Sequence, residues 1–127
     1  MSRHTRKWPR ILLGAYSIAL FTGTHWPKLP SIDVPGKDKT LHVVAYAILA
    51  GLLLNVLARR TWPARGVSLA AVTLAIVAIA GALDEWTQPY FGRTCDLFDW
   101  LADMAGAVGM SIAYLLAMAP RQGRLGS

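Results

Sequence analysis

Charged residues and cysteine are both scarce in this sequence. Charged residues make up 16% of the 127 residues, against about a quarter in soluble domains. The single cysteine, Cys95, excludes an intramolecular disulfide and a cysteine-rich metal site. The 13 basic residues are separated by long apolar segments and do not form one basic surface, which argues against nucleic-acid binding. Hydrophobic residues make up 54% of the chain, which indicates that lipid surrounds much of it.

Four apolar stretches contain no Lys, Arg, Asp or Glu, and they have 16 to 18 residues each: Ile11–Trp26, Leu41–Ala58, Val67–Leu83 and Met104–Ala119. Each stretch is slightly shorter than the roughly 20 residues that span a bilayer, so each helix must extend into the polar residues at its ends. We therefore predict an all-α, polytopic membrane protein with a four-helix transmembrane bundle in a single domain, 1–127. The predicted helices lie at about 9–26, 39–58, 66–86 and 98–119.

The basic residues predict the orientation of these helices. Nine of them lie at the two termini and in the loop between the second and third helices, and four lie in the other two loops. The side richer in Lys and Arg faces the cytoplasm, so both termini are predicted to be cytoplasmic in a multi-pass protein of the cytoplasmic (inner) membrane. The N-terminus also resembles a signal peptide, but no small-x-small cleavage site follows its apolar stretch. All seven acidic residues then lie on the outer side.

The second predicted helix begins with polar residues on one face. Asp38, His42 and Tyr46 are spaced four apart, and Lys39 lies beside them. His42 is a candidate general base or ligand. The alternative is structural: Asp38 holds His42, and Tyr46 belongs to an aromatic belt at the lipid boundary.

The third helix ends in acidic residues, and the fourth begins with them. Asp84 is expected to lie in solvent at the end of the third helix. Glu85 and Gln88 are three residues apart and can share a helix face. Asp99 and Asp103 also share a face. Because a carboxylate in lipid is costly, Asp103 is expected to face the bundle and to find a partner.

The available donors for Asp103 are Arg93, Lys39 and His42. An ion pair that locks two helices remains an alternative to a functional site. Gly106 and Gly109 continue the fourth helix, and they are expected to allow close helix packing.

Two motifs together resemble those of the VanZ-like family of small bacterial membrane proteins. The first is Asp38-Lys39-x-x-His42-x-x-x-Tyr46. The second is Asp84-Glu85-Trp86-x-Gln88, then Arg93, then Asp99-Trp100-Leu101-Ala102-Asp103-x-x-Gly106-x-x-Gly109. The resemblance covers 37–110 and implies a role at the cell envelope, in a family named for a teicoplanin-resistance protein. Asp103 stands where many members carry Asn, which argues against a catalytic role for it.

Three functions fit these residues. The first is an outward-facing polar site for a lipid headgroup, a cell-wall precursor or a glycopeptide, with a role in teicoplanin-type resistance. The second is a membrane hydrolase or transferase that acts on an envelope lipid through the His/Asp/Glu cluster. The third is a structural helix lock, with function in a protein partner. The predicted site residues are Asp38, Lys39, His42, Tyr46, Asp84, Glu85, Gln88, Arg93, Asp99 and Asp103.

No sequence motif indicates a resident metal or cofactor. His42 with several carboxylates could hold a divalent metal, but HExxH, a nucleophile elbow and a dense histidine cluster are all missing. No metal or cofactor is therefore predicted. The expected partners are membrane lipids and the ligand classes above, without nucleic acid, and the sequence indicates no oligomeric state.

Overall fold

In the computed structural model, the described residues are 7–26, 37–59, 66–93 and 95–124, and all of their regular structure is helical. The four α-helices are α1 (Trp8–His25), α2 (Lys37–Ala58), α3 (Val67–Thr87) and α4 (Leu97–Arg124), with a 3-10 turn at Gln88–Phe91 after α3. The all-α prediction is confirmed. The fourth apolar stretch ends at Ala119, whereas α4 continues to Arg124. A fall in hydropathy marks the edge of the lipid, and the backbone hydrogen bonds of a helix can continue beyond it.

Three of the described helical segments are long and apolar enough to cross a membrane: Lys39–Ala58, Val67–Phe91 and Leu97–Met118. Their mean hydropathies are 2.2, 2.1 and 1.6. The 18-residue α1 is not among them, because Arg10 and His25 lie within its length and lower its hydropathy. The described part of the chain therefore contains three segments that could span a membrane, with α1 packed beside them.

The helices pack around α2. Helix α4 packs most extensively against α2 and then against α3, while α1 lies mainly along α2. The core consists of apolar side chains from α2, α3 and α4: Tyr46, Leu49, Ala50, Leu53, Val77 and Ala107. Many large apolar side chains outside this core are exposed, such as Ile18 at 71% and Leu116 at 68%. A protein surface of this kind suits lipid better than water.

The two glycines predicted to pack helices differ in their surroundings. A Cβ at Gly106 would collide with the backbone carbonyl of Val43, so glycine allows α4 to lie directly against α2. Gly109 is exposed, and no atom in the described ranges lies within 4 Å of where its Cβ would be. The packing prediction for Gly109 is therefore wrong within this chain. Gly109 lies about 60° around the helix from Gly106, on its exposed side, and Met110, four residues past Gly106, is the residue that lies against Gly51 of α2.

The polar ends of the four helices lie together at one end of the bundle. Thr24 near the end of α1 contacts Asp84 near the end of α3, and Lys39 at the start of α2 contacts Asp96 just before α4. Alternating helix directions produce this arrangement, because successive antiparallel helices bring every second connection to the same end. The predicted site residues all belong to segments that meet here.

Candidate functional site

A short polar contact in this region joins α2 to α4. The Nδ1 atom of His42 lies 2.7 Å from Oδ1 of Asp103, and its Nε2 lies 3.8 Å from Oδ2 of Asp99. All three side chains are buried, and Asp103 has no exposed surface. When Asp103 is ionised, its carboxylate only accepts hydrogen bonds and Nδ1 of His42 is the donor. The prediction that Asp103 faces the bundle and finds a partner is confirmed, and the partner is His42.

Glu85 of α3 completes this group. Ligand atoms of His42, Glu85 and Asp103 all lie within 4.8 Å of one another. Oε2 of Glu85 accepts a hydrogen bond from the backbone N–H of Asp96 at 3.1 Å. Together with Asp99, these residues form the acid–histidine cluster: His42, Glu85, Asp99 and Asp103. Three helices therefore deliver one imidazole and three carboxylates to a buried position.

Lys39 and Asp96 form an exposed rim above the cluster. The Lys39 ammonium lies 3.4 Å from Oδ2 of Asp96 and 3.5 Å from Oδ1 of Asp99, so it reaches from the surface to the cluster. Oδ1 of Asp96 also accepts a hydrogen bond from the backbone N–H of Phe98 at 2.9 Å. This hydrogen bond, followed by the charge of Lys39, lowers the pKa of Asp96 below its ordinary value. Asp96 is therefore ionised at the start of α4, where a negative charge is favourable.

A second group of contacts, the α1–α3 clamp, consists of Thr24, His25, Asp84 and Thr87. Oγ1 of Thr24 donates to Oδ1 of Asp84 at 2.6 Å, and Nδ1 of His25 lies 3.4 Å from the same oxygen. Nε2 of His25 lies 2.7 Å from Oγ1 of Thr87. The expectation of a solvated Asp84 is wrong, since its side chain is 6% exposed. The end of α1 covers it, and α3 continues past it to Thr87.

Gln88 connects the clamp to the cluster. Its Nε2 lies 3.3 Å from Oδ2 of Asp84 and 3.4 Å from Oε1 of Glu85, which confirms that Glu85 and Gln88 share a face. Tyr46 is buried beside the cluster, with its ring nearly parallel to that of His42 and the two centroids 6.3 Å apart. The two groups therefore form one continuous polar network at this end of the bundle.

Two predicted site residues remain, Arg93 and Asp38. The guanidinium of Arg93 donates to the backbone carbonyl of Trp26 at 3.2 Å, next to the end of α1. The side chain of Asp38 lies outside the described residues, so its predicted contact with His42 stays a prediction.

Three residues of the clamp were missed from sequence: Thr24, His25 and Thr87. A signal was available for His25, because the predicted alternation of helix directions brings a histidine at the end of the first apolar stretch to the same end of the bundle as the acidic end of the third helix. Thr24 and Thr87 carried no such signal, since hydroxyl side chains in apolar helices commonly bond to their own backbone. Thr87 also makes that kind of bond here, to the carbonyl of Leu83.

The cluster is richer in acid than in base. Three carboxylates lie around His42, and the Lys39 ammonium contacts one of them, that of Asp99. Oδ2 of Asp103 and Oε1 of Gln88 are buried without a hydrogen-bond partner among the described residues. Such an arrangement can accept hydrogen bonds from a ligand, bind a cation or transfer protons.

Comparisons with known proteins return no match, whether to protein-family models, to curated proteins or to solved structures. The sequence motifs and the geometry of the polar network are therefore the features that indicate a function.

Proposed function

We propose that the chain spans the cytoplasmic membrane four times, in a VanZ-like arrangement with both termini in the cytoplasm. Three helical segments have the length and hydropathy for spanning, and α1 packs beside them with Ile11, Leu12 and Ile18 exposed. The nine-to-four distribution of basic residues supports this orientation. The polar network then lies at the extracytoplasmic end of the bundle, where cell-wall precursors and glycopeptides are found.

We propose that the acid–histidine cluster and its Lys39–Asp96 rim bind the polar part of an envelope molecule there. The observation that supports this function best is the continuity between surface and interior. Lys39 is 49% exposed and Asp96 is 38% exposed, yet Lys39 also contacts the buried Asp99. A ligand at the membrane surface meets the rim first and gains access to the cluster by displacing Lys39.

The chemistry of the site favours a ligand with both hydrogen-bond donors and an acidic group. Carboxylates of the cluster accept from ammonium, amide and hydroxyl groups, while Lys39 binds a carboxylate or phosphate. Lipid headgroups, cell-wall precursors and glycopeptides combine these groups. The VanZ-like resemblance makes teicoplanin resistance the phenotype to measure.

The test is expression in a teicoplanin-sensitive bacterium, with the minimal inhibitory concentration as the readout. We expect the protein to raise this concentration, and Lys39→Gln and Glu85→Gln to remove the increase at equal protein levels. Arg59→Gln is the matched control, because Arg59 is an exposed cation at the opposite end of the bundle, where it donates to Asn55. Full resistance in both site variants would refute the binding function.

Melting temperatures of the same purified variants separate binding from a purely structural lock. A binding site predicts folded variants with melting temperatures close to that of the parent protein. A structural lock predicts a large fall in melting temperature, because removing one partner leaves a buried polar group unpaired at a cost of about 1–3 kcal/mol.

One observation favours an enzyme as the second candidate. The 2.7 Å contact with Asp103 fixes the ring of His42, as the orienting acid does for a catalytic base. Such a base could activate water for hydrolysis of an envelope lipid. We expect purified protein mixed with phosphatidylglycerol vesicles to release a phosphorus-containing headgroup, detected by phosphorus NMR, and His42→Gln to abolish the release. Absence of turnover on envelope lipids would exclude this candidate.

A further inference from the structure

The acid–histidine cluster has the donor set of a metal centre, which the sequence motifs did not predict. His42, Glu85 and Asp103 come from three different helices, and each offers one ligand atom within 4.8 Å of the others. Two atoms bound to one metal at about 2.1 Å lie at most about 4.2 Å apart. Small rotations of these side chains therefore suffice to bring all three onto a single ion.

The charges of the cluster also favour a cation. Glu85, Asp99 and Asp103 are all at most 4% exposed, and ionised carboxylates at such positions repel one another strongly at low dielectric constant. The Lys39 ammonium contacts Asp99 from the rim, at 3.5 Å from Oδ1. A divalent ion among the three carboxylates would offset the remaining charge.

An unpartnered oxygen points to the same conclusion. One oxygen of Asp103, Oδ1, contacts His42, whereas the other, Oδ2, is buried and has no hydrogen-bond partner in the described part of the chain. Oδ2 lies 3.1 Å from the position that a Cβ of Gly81 would occupy. Because glycine has no side chain, there is space beside this oxygen. Buried polar atoms without a partner are rare and commonly mark a bound ion or water.

We propose that His42, Glu85 and Asp103 bind one divalent transition-metal ion, with Asp99 close enough to contribute a fourth ligand. An imidazole with carboxylates suits Zn²⁺ or Mn²⁺, whereas Mg²⁺ and Ca²⁺ select oxygen ligands alone. The site ties α2, α3 and α4 together at the outer end of the bundle. The proposal is independent of the binding function above, since a metal can serve as a structural ion, as an electrophile or as part of a ligand site.

The experiment is a calorimetric titration of ZnCl₂ into purified full-length protein, prepared in detergent without a histidine tag and stripped with EDTA. We expect one Zn²⁺ per chain with micromolar or tighter affinity, a Zn²⁺-dependent rise in melting temperature, and no competition from equimolar Mg²⁺. His42→Gln and Glu85→Gln should each weaken binding at least about tenfold, the lower limit for changes in a metal's immediate surroundings.

The α1–α3 clamp provides the matched control. His25 is a buried histidine at the same end of the bundle, next to one carboxylate, and it does not belong to the three-residue donor set. We expect His25→Gln to bind Zn²⁺ like the parent protein. Parent protein that binds no Zn²⁺ or Mn²⁺ below 100 µM overturns the proposal, whether or not any variant folds. Equal losses in His25→Gln and His42→Gln, or equal competition by Mg²⁺, overturn it as well.

Discussion

At the scale of single residues, two aspartates of the same region have opposite surroundings. Asp96 precedes α4, is partly exposed, and accepts a hydrogen bond from Phe98. Asp103 lies less than two turns further on, is fully buried, and contacts His42. Asp96 therefore belongs to the helix end and to the rim, whereas Asp103 belongs to the interior. The same side-chain chemistry caps a helix in one place and joins two helices in the other.

For Asp96, the lowered pKa predicts a pH-dependent contribution to stability. A carboxyl group whose pKa is lower in the folded than in the unfolded protein contributes stability above its ordinary value of 3.8, and the contribution is lost as the pH falls through the folded-state pKa. We expect Asp96→Asn, which keeps an acceptor for Phe98, to melt at a slightly lower temperature than the parent protein at pH 7. The difference should shrink as the pH falls below 3.8, and a difference that grows with acidification would contradict the assignment.

At the scale of helices, the contact between α2 and α4 depends on a missing side chain. Gly106→Ala should place a methyl group against the carbonyl of Val43 and lower the free energy of unfolding by about 1–3 kcal/mol, the usual effect of overpacking. Gly109→Ala is the matched control on the same helix. It meets open space and should be neutral, or stabilising by up to about 1 kcal/mol through helix propensity. Unfolding of both variants in mixed detergent micelles measures the difference, and equal effects would argue against close packing at Gly106.

The attachment of α1 to α3 depends on hydrogen bonds to one buried carboxylate. Thr24→Val removes the 2.6 Å hydrogen bond to Asp84, and we expect a loss of about 1–3 kcal/mol in the free energy of unfolding. Thr22→Val serves as the control, because Thr22 is exposed and its hydroxyl donates to Ile18 within its own helix. Its effect should stay within about 0.5 kcal/mol. A control that loses as much stability as Thr24→Val would show that the hydrogen bond to Asp84 is not the cause of the loss.

At the scale of the whole molecule, the proposed binding function depends on which side of the membrane the network faces. The chain carries one cysteine, Cys95, which is exposed just before α4. Labelling of its thiol therefore shows on which side of the membrane the start of α4 lies. We expect a membrane-impermeant maleimide to label Cys95 in spheroplasts without permeabilisation. In a Cys95→Ser background, Arg59→Cys should be labelled only after the membrane is permeabilised. The reverse pattern would place the network in the cytoplasm and remove the argument for an extracytoplasmic ligand.

The number, type and approximate limits of the helices followed from the amino-acid sequence alone. An apolar run is a local property, and lipid leaves its backbone no alternative to internal hydrogen bonding. The burial of Asp103 could be inferred in the same way, since too few apolar residues follow it to span a bilayer without it.

Tertiary packing was needed to identify most of the partners. His42 contacts Asp103, 61 residues away, and Asp84 is covered by Thr24 and His25 from the end of α1. Gly106 contacts α2 while Gly109 does not. These outcomes depend on how far each helix is rotated about its own axis and on which neighbours it meets. Residues three and four apart share a helix face, but nothing in that spacing says which helix lies opposite.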